Sequence, residues 1–202
     1  MGLPAPIHGR ILGRGRAGDG AWRPALVACG GHFIAAAWGR NAARKGYAPG
    51  AVMTSEPIVL AIDLALSPPR AYAAFAERFS EWWPAASHSL SRDSATSCRL
   101  DARLGGAIRE RAPDGALHAW GDVLEIEPGR RIRFSWYPGR ERESAQWIDV
   151  DFAPTAAGSR VTLTHGGWEA LGEIGPLLRQ EYVSGWQHVF VNLFAEFARL
   201  DR

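Results

Sequence analysis

Over residues 177–200 the sequence is LLRQEYVSGWQHVFVNLFAEFARL. Apolar side chains recur in this stretch every three or four residues, and no proline interrupts it. Because an α-helix has about 3.6 residues per turn, this spacing places them on one side of a helix. The stripe comprises Leu178, Tyr182, Gly185, Trp186, Val189, Phe190, Leu193, Phe197 and Leu200. The sequence therefore predicts a long helix, over about 177–200, that buries one face against another layer.

Short apolar segments separated by turn residues precede this helix. The turns include Gly105-Gly106, Pro113-Asp114-Gly115, Glu127-Pro128-Gly129 and Ala156-Ala157-Gly158. They delimit predicted strands over 95–100, 107–111, 118–126, 131–136, 146–152 and 159–165. Strands joined in this way form an antiparallel sheet with one face on the core and one face in solvent.

The segment before these strands predicts one more strand and a short helix. Residues 58–66, IVLAIDLAL, are apolar and rich in β-branched side chains at their start. Ser67-Pro68-Pro69 is typical of a helix start, with Ser67 as the N-cap and proline in the first turn. Pro84 ends this helix, since the residue before a proline avoids helical geometry. The order of elements predicts an α+β domain with helices on one face of a curved antiparallel sheet.

Composition separates residues 1–52 from the rest of the chain. Residues 1–52 carry a net charge of +6 and 11 of the 23 glycines, whereas residues 53–202 carry −4. We predict a disordered or irregular extension over 1–52 and a folded domain over 53–202, beginning at Met53.

The acidic domain argues against a nucleic-acid partner. The apolar stretch 25–38 is shorter than the roughly 20 residues of a membrane span. Two cysteines, Cys29 and Cys98, suit reduced thiols in the cytoplasm.

Five motifs, in order, carry a family likeness. They are Leu104-Gly105-Gly106, WGDVLEIEP over 120–128, RIRFSW over 131–136, GSRVTLTH over 158–165, and Gly185-Trp186. Together, over about residues 58–200, they resemble the heat-shock-protein-90 ATPase activator homologue-like branch of the START/SRPBCC helix-grip superfamily. The resemblance implies a curved sheet of about seven strands wrapped around the long C-terminal helix, with a cavity between them. Residues 1–52 do not resemble the N-terminal domain of the eukaryotic co-chaperones.

Tryptophan is the most distinctive residue of the domain, which holds seven of the nine in the chain. Phe134 and Trp136 alternate on one strand, and Trp186 and Phe190 share the helix stripe, so these four side chains can meet. Trp120 and Leu124 are predicted to share a strand face. A fully packed core is the alternative explanation, but seven tryptophans are more than a core of this size needs, which favours a cavity partly lined by them. The candidate cavity residues are Trp82, Trp83, Trp120, Phe134, Trp136, His165, Trp186 and Phe190.

Polar residues offer few candidates for catalysis. His165 follows Val161 and Leu163 on one strand face, where it is either a hydrogen-bonded strand-end residue or a general base. Glu125 shares a face with Val123 and becomes a buried acid if that face lines the cavity. Asp149 and Asp151 alternate with apolar residues and are predicted to lie on the solvated face. No catalytic residue is assigned, and neither a cofactor nor a metal is expected.

Three functions remain open on this basis. The first is a non-enzymatic, cytoplasmic protein that binds an apolar small molecule or lipid between the sheet and the C-terminal helix. The second is a chaperone-associated protein-interaction module, which an exposed aromatic patch at Trp82 and Trp83 would favour. The third is a cyclase or hydrolase on the same fold, which needs a titratable group with a shifted pKa inside the cavity.

Overall fold

The computed structural model describes residues 55–201 and shows seven strands in one antiparallel sheet. The sheet order is β1-β7-β6-β5-β4-β3-β2. The strands are β1 (Ile58–Leu64), β2 (Ser97–Leu100), β3 (Ala107–Arg111), β4 (Leu117–Glu127), β5 (Arg131–Trp136), β6 (Gln146–Thr155) and β7 (Gly158–Gly166). The predicted α+β helix-grip architecture is confirmed, whereas the predicted extension over 1–52 lies outside the described residues.

The helix after β1 is short and interrupted. It consists of α1 (Pro68–Tyr72), a π-helical turn (Ala73–Glu77) and α2 (Phe79–Trp82). Ser67 occupies the N-cap position with extended backbone, but its side chain makes no capping hydrogen bond. The segment ends where predicted, because Trp83 before Pro84 is extended.

The C-terminal helix is continuous and contains a π-helical segment. It comprises α3 (Gly175–Trp186), the π-helical segment Gln187–Phe194 and α4 (Ala195–Leu200). A π-helix has more residues per turn than an α-helix, and after Trp186 the buried face follows Phe190, Phe194 and Ala198, with Val189 and Ala195 buried beside them. The predicted stripe is therefore wrong at its end, since Leu200 is 81% exposed and the fully buried position is Phe194 rather than Leu193.

Two bulges on β4 change which of its side chains face the core. The register with β3 shifts beside Trp120, and the register with β5 shifts between Val123 and Glu125. An extra residue in one strand resets the alternation of its side chains. Trp120 and Val123 consequently point into the core while Leu124 is exposed, so the prediction that Trp120 and Leu124 share a face is wrong.

The core lies between the concave face of the sheet and the helices. Its buried residues on the sheet include Ile132, Ile148, Val150 and Leu163, each fully covered. The C-terminal helix covers this face from one side and the segment α1–α2 from the other, where Phe75 meets Phe194 at 5.2 Å between ring centroids. Among residues 55–201, no helix is long and apolar enough to cross a membrane.

Candidate functional site

A cavity of about 240 Å³ lies between the sheet and the C-terminal helix. Four tryptophans form its walls: Trp83 after α2, Trp120 on β4, Trp136 on β5 and Trp186 on α3. The other lining residues are Ser87, His88, Ser89, Arg92, Tyr182, Gly185 and Val189. Ser87 is exposed, so the cavity reaches the surface at the loop of residues 84–92, called the rim loop below.

The four indole rings contact one another mainly edge to face. Trp83 lies at the centre, with ring centroids 5.5 Å from Trp120, 5.8 Å from Trp136 and 6.1 Å from Trp186. Trp136 completes the arrangement at 5.6 Å from Trp120 and 5.9 Å from Trp186. Aromatic pairs at these separations stabilise one another, so the walls hold their shape without a ligand.

Each of the four indole N–H groups donates to a protein atom. Trp83 Nε1 donates to the His88 carbonyl at 2.7 Å and Trp120 Nε1 to Glu110 Oε2 at 3.1 Å. Trp136 Nε1 donates to the Tyr182 hydroxyl at 3.1 Å, and Trp186 Nε1 to His165 Nδ1 at 2.9 Å. These bonds fix the orientation of the rings and use their only donors. The tryptophans therefore offer a ligand apolar surface rather than hydrogen bonds.

Glu110 is a residue of the candidate site that the sequence analysis did not identify. Its side chain is fully buried on β3 and accepts hydrogen bonds from the backbone N–H groups of Leu90 at 2.7 Å and Ser91 at 2.8 Å. The Ser91 hydroxyl and the Trp120 indole donate to the same carboxylate. Glu110 thus ties the rim loop to one wall of the cavity. This contact could not be predicted, because Glu110 stands between Arg109 and Arg111 on a strand and lies about 20 residues from the loop.

The rim loop supplies the polar groups that line the cavity mouth. His88 and Ser87 share a hydrogen bond of 2.9 Å, and the Ser89 hydroxyl accepts from the Arg92 N–H at 2.8 Å. The His88 ring lies 5.6 Å from the ring of His188 on the C-terminal helix. Burial, followed by the nearby His188 and Arg92, lowers the pKa of His88.

His165 lies behind the cavity wall and orients Trp186. Its ring is fully buried between Trp168, 4.2 Å away by centroid, and Tyr182, 4.9 Å away. Because Nδ1 accepts the Trp186 N–H, the neutral ring carries its proton on Nε2, which has no hydrogen-bond partner among residues 55–201. Burial and, to a lesser extent, the charge of Arg140 lower the pKa of His165 well below its ordinary value.

The predicted site residues thus fall into two groups. Trp83, Trp120, Trp136 and Trp186 line the cavity. The others pack around it: Trp82 against Phe75 and Phe194, Phe134 against Trp136, Phe190 against Phe194, and His165 behind Trp186.

The remaining candidate acids lie on the convex face of the sheet. Although Val123 faces the core, the bulge after it turns Glu125 outward, where it pairs with Arg131 at 2.9 Å. The prediction that Glu125 shares a strand face with Val123 is therefore wrong. Asp149 also lies on this face. Arg131 donates two hydrogen bonds to its carboxylate and covers it, so that only 8% of the Asp149 surface is exposed.

Within the described part of the chain, no group of three or more His, Cys, Asp or Glu residues could hold a metal ion.

The family described as Activator of Hsp90 ATPase homolog 1-like protein matches residues 65–198, about two-thirds of the chain. The chain belongs to this family. The match begins just before α1, ends within α4 and confirms the resemblance carried by the sequence motifs. Among curated proteins there is no significant match.

Solved structures share the fold of this Hsp90 ATPase activator homolog 1-like domain. Protein CV1439 from Chromobacterium violaceum is 24% identical, with 71% of this chain and 98% of that chain aligned at a TM-score of 0.50. The Aha1 dimer from Colwellia psychrerythraea is 15% identical (72% and 98% aligned, TM-score 0.52). The anthrahydroquino-gamma-pyrone synthase Txn09 is 21% identical (72% and 99% aligned, TM-score 0.51). At these identities the comparisons establish a shared fold.

Proposed function

We propose that this domain binds a compact aromatic or other apolar molecule in the tryptophan-lined cavity. The observation that carries the proposal is the arrangement of four indole rings whose N–H groups are already bonded to protein atoms. A flat apolar molecule that covers these indole faces removes them from water, and this burial of apolar surface favours binding. The volume of about 240 Å³ lies below the roughly 300–1,000 Å³ of drug-sized pockets, which favours a small ligand over a long-chain lipid.

The fold relative Txn09 supports an aromatic ligand, because its name denotes a synthase of a polycyclic aromatic product. A cyclase or hydrolase activity in this chain has less support. His165, the strongest acid–base candidate, lies outside the cavity lining, and its Nδ1 is occupied by Trp186. We therefore propose binding without catalysis, with His165 acting as a positioning residue for Trp186.

A chaperone-associated role is the alternative suggested by the family name. The feature expected to favour it was an exposed aromatic patch at Trp82 and Trp83. Both side chains are buried, with 5% and 9% of their surface exposed, so that patch gives the alternative no support.

Cys98 is buried and free, in keeping with the cytoplasmic location that we propose.

The direct test is a titration with naphthalene while tryptophan fluorescence is followed. We expect saturable quenching or a spectral shift, because a bound ring contacts indole faces. Val189→Phe places a larger side chain at the cavity lining and should abolish this change. Leu117→Phe, a substitution at an exposed position on β4, is the matched control and should leave it intact. Absence of any saturable change in the folded wild-type protein would count against the proposal.

A further inference from the structure

We infer that the cavity selects a flat organic anion, such as an aromatic carboxylate, with its ring among the tryptophans and its negative group at His88 and Arg92. This inference rests on the proposed function and adds the charge and orientation of the ligand. It follows from how polar and charged groups are distributed around the cavity, as set out below.

The polar groups of the lining are concentrated at one end. His88 and Arg92 both lie on the rim loop, together with the hydroxyl-bearing Ser87 and Ser89. Among the described lining residues, the opposite walls consist of indole faces, Gly185 and Val189, and Tyr182 is the one other polar residue. A ligand that matches this lining is amphipathic, with an apolar body inside and a polar group at the mouth.

The positive charge at the mouth comes from Arg92, since the lowered pKa of His88 leaves that ring neutral near pH 7. The titratable residues that line the cavity are His88, Arg92 and Tyr182, and no aspartate or glutamate belongs to the described lining. His188 adds a second imidazole beside His88. Glu110 lies beneath the rim loop with its oxygens engaged by Leu90, Ser91 and Trp120, and Asp93 accepts the Ala95 N–H at 2.7 Å. Neither carboxylate lines the cavity, so a ligand at the mouth meets basic and hydroxyl groups.

An aromatic cage by itself attracts cations, because the face of an aromatic ring is electron-rich. Here Arg92 also belongs to the lining, on the rim loop, where a cationic group would meet a second positive charge. The same electron-rich faces disfavour an anionic group inside the cage, which leaves the mouth as its place. Arginine and histidine bind carboxylates through charge-assisted hydrogen bonds, which are stronger than those between neutral groups. The two features together favour an anion oriented outward.

The test compares three ligands of nearly the same shape by isothermal titration calorimetry of the full chain. They are naphthalene-2-carboxylate, the neutral naphthalene-2-carboxamide and the cationic naphthalen-2-ylmethylammonium. The measurement is made near pH 7 at low salt, since added salt screens charge contacts at an open mouth. We expect the carboxylate to bind at least about tenfold more tightly than the carboxamide, the effect of a charge-assisted hydrogen bond. The ammonium ligand should bind most weakly.

Two variants assign this preference to the rim. Arg92→Gln removes the positive charge and His88→Gln removes the imidazole, and each should reduce the ratio of carboxylate to carboxamide affinity severalfold. Arg103→Gln is the matched control, because Arg103 is an exposed arginine outside the cavity lining. It should keep the full preference. Because the two variants change different positions of the loop, misfolding of one leaves the other as a test.

The outcomes separate this inference from the proposed function. If none of the three ligands binds, the proposed function fails and the inference fails with it. If the carboxamide binds as tightly as the carboxylate, or the ammonium ligand binds best, the cavity holds ligands but the selection of anions is wrong. If the carboxylate is preferred and both rim variants keep that preference, the placement of the anion at His88 and Arg92 is wrong.

Discussion

At the scale of single residues, hydrogen bonds to the indole rings explain how the cavity keeps its shape. Tyr182, Glu110, His165 and the His88 carbonyl each accept one indole N–H. A buried donor without a partner costs about 1–3 kcal/mol, so each acceptor stabilises one ring orientation. Sequence analysis could predict that tryptophans gather between sheet and helix. It could not predict their acceptors, since three of the four lie 10 or more residues away from the ring that they hold.

His165 makes stability depend on pH in a defined direction. The native ring stays neutral because its pKa is lowered, whereas in the unfolded chain it titrates near its ordinary value of about 6.5. Below that pH the unfolded state therefore binds the extra proton first, and the native state becomes less stable as pH falls. We expect the wild-type free energy of unfolding to fall between about pH 6.5 and 5 more steeply than that of His165→Gln, by up to about 1.4 kcal/mol per pH unit.

Urea denaturation at several pH values measures this difference in slope. His88, whose pKa is also lowered, is present in both proteins and does not contribute to the difference. His118→Gln, at an exposed position on β4, controls for the loss of a histidine. Equal slopes for wild type and His165→Gln would mean that His165 is not held neutral in the native protein.

Glu110 provides a second prediction at this scale. Glu110→Ala leaves the buried Trp120 indole and the N–H groups of Leu90 and Ser91 without their acceptor. We expect a loss of at least about 2 kcal/mol in the free energy of unfolding, since unsatisfied buried donors cost about 1–3 kcal/mol each. Faster amide hydrogen exchange at Leu90 and Ser91, with unchanged exchange on β6, should accompany it. Unchanged protection of these two amides would show that the loop does not depend on Glu110.

At the scale of elements, the sequence predicted strands and helices well but missed irregular backbone. Strands β3 and β5 have the predicted bounds, because turn residues delimit them on both sides. The β4 bulges and the π-helical segment were missed, since alternation and helical spacing assume a regular repeat. Gly121 shows one source of irregularity: a Cβ there would lie 1.8 Å from the Ser135 carbonyl oxygen, so only glycine permits this approach of β4 to β5.

The π-helical segment leads to a prediction that distinguishes two neighbouring positions. Phe194 is fully buried and contacts Phe75, Trp82 and Phe190, whereas Leu193 is partly buried. Phe194→Ala should lower the free energy of unfolding by about 3–5 kcal/mol, the usual cost of removing a buried phenylalanine. Leu193→Ala should cost clearly less, under about 2 kcal/mol, because a partly exposed side chain leaves a smaller cavity. Chemical denaturation of both variants measures the two losses. A larger loss for Leu193→Ala than for Phe194→Ala would mean that the helix continues in regular α-helical register.

At the scale of the whole molecule, one sheet, one long helix and the core between them lie within residues 55–201. We therefore expect a chain beginning at Met53 to unfold at the same temperature as the full chain. Differential scanning calorimetry of the two proteins tests this expectation. A midpoint several degrees lower for the shorter chain would show that residues 1–52 stabilise the domain. The sequence predicted this boundary from composition alone, and it remains a prediction.

The central claim is that the space enclosed by Trp83, Trp120, Trp136 and Trp186 is a ligand site. Its most direct test is a crystal structure of the full chain with naphthalene-2-carboxylate. The account predicts the two fused rings between these indoles, with the carboxylate oxygens within hydrogen-bond distance of His88 or Arg92. A ligand bound elsewhere on the surface, or a cavity closed by its own side chains with no ligand inside, would contradict it.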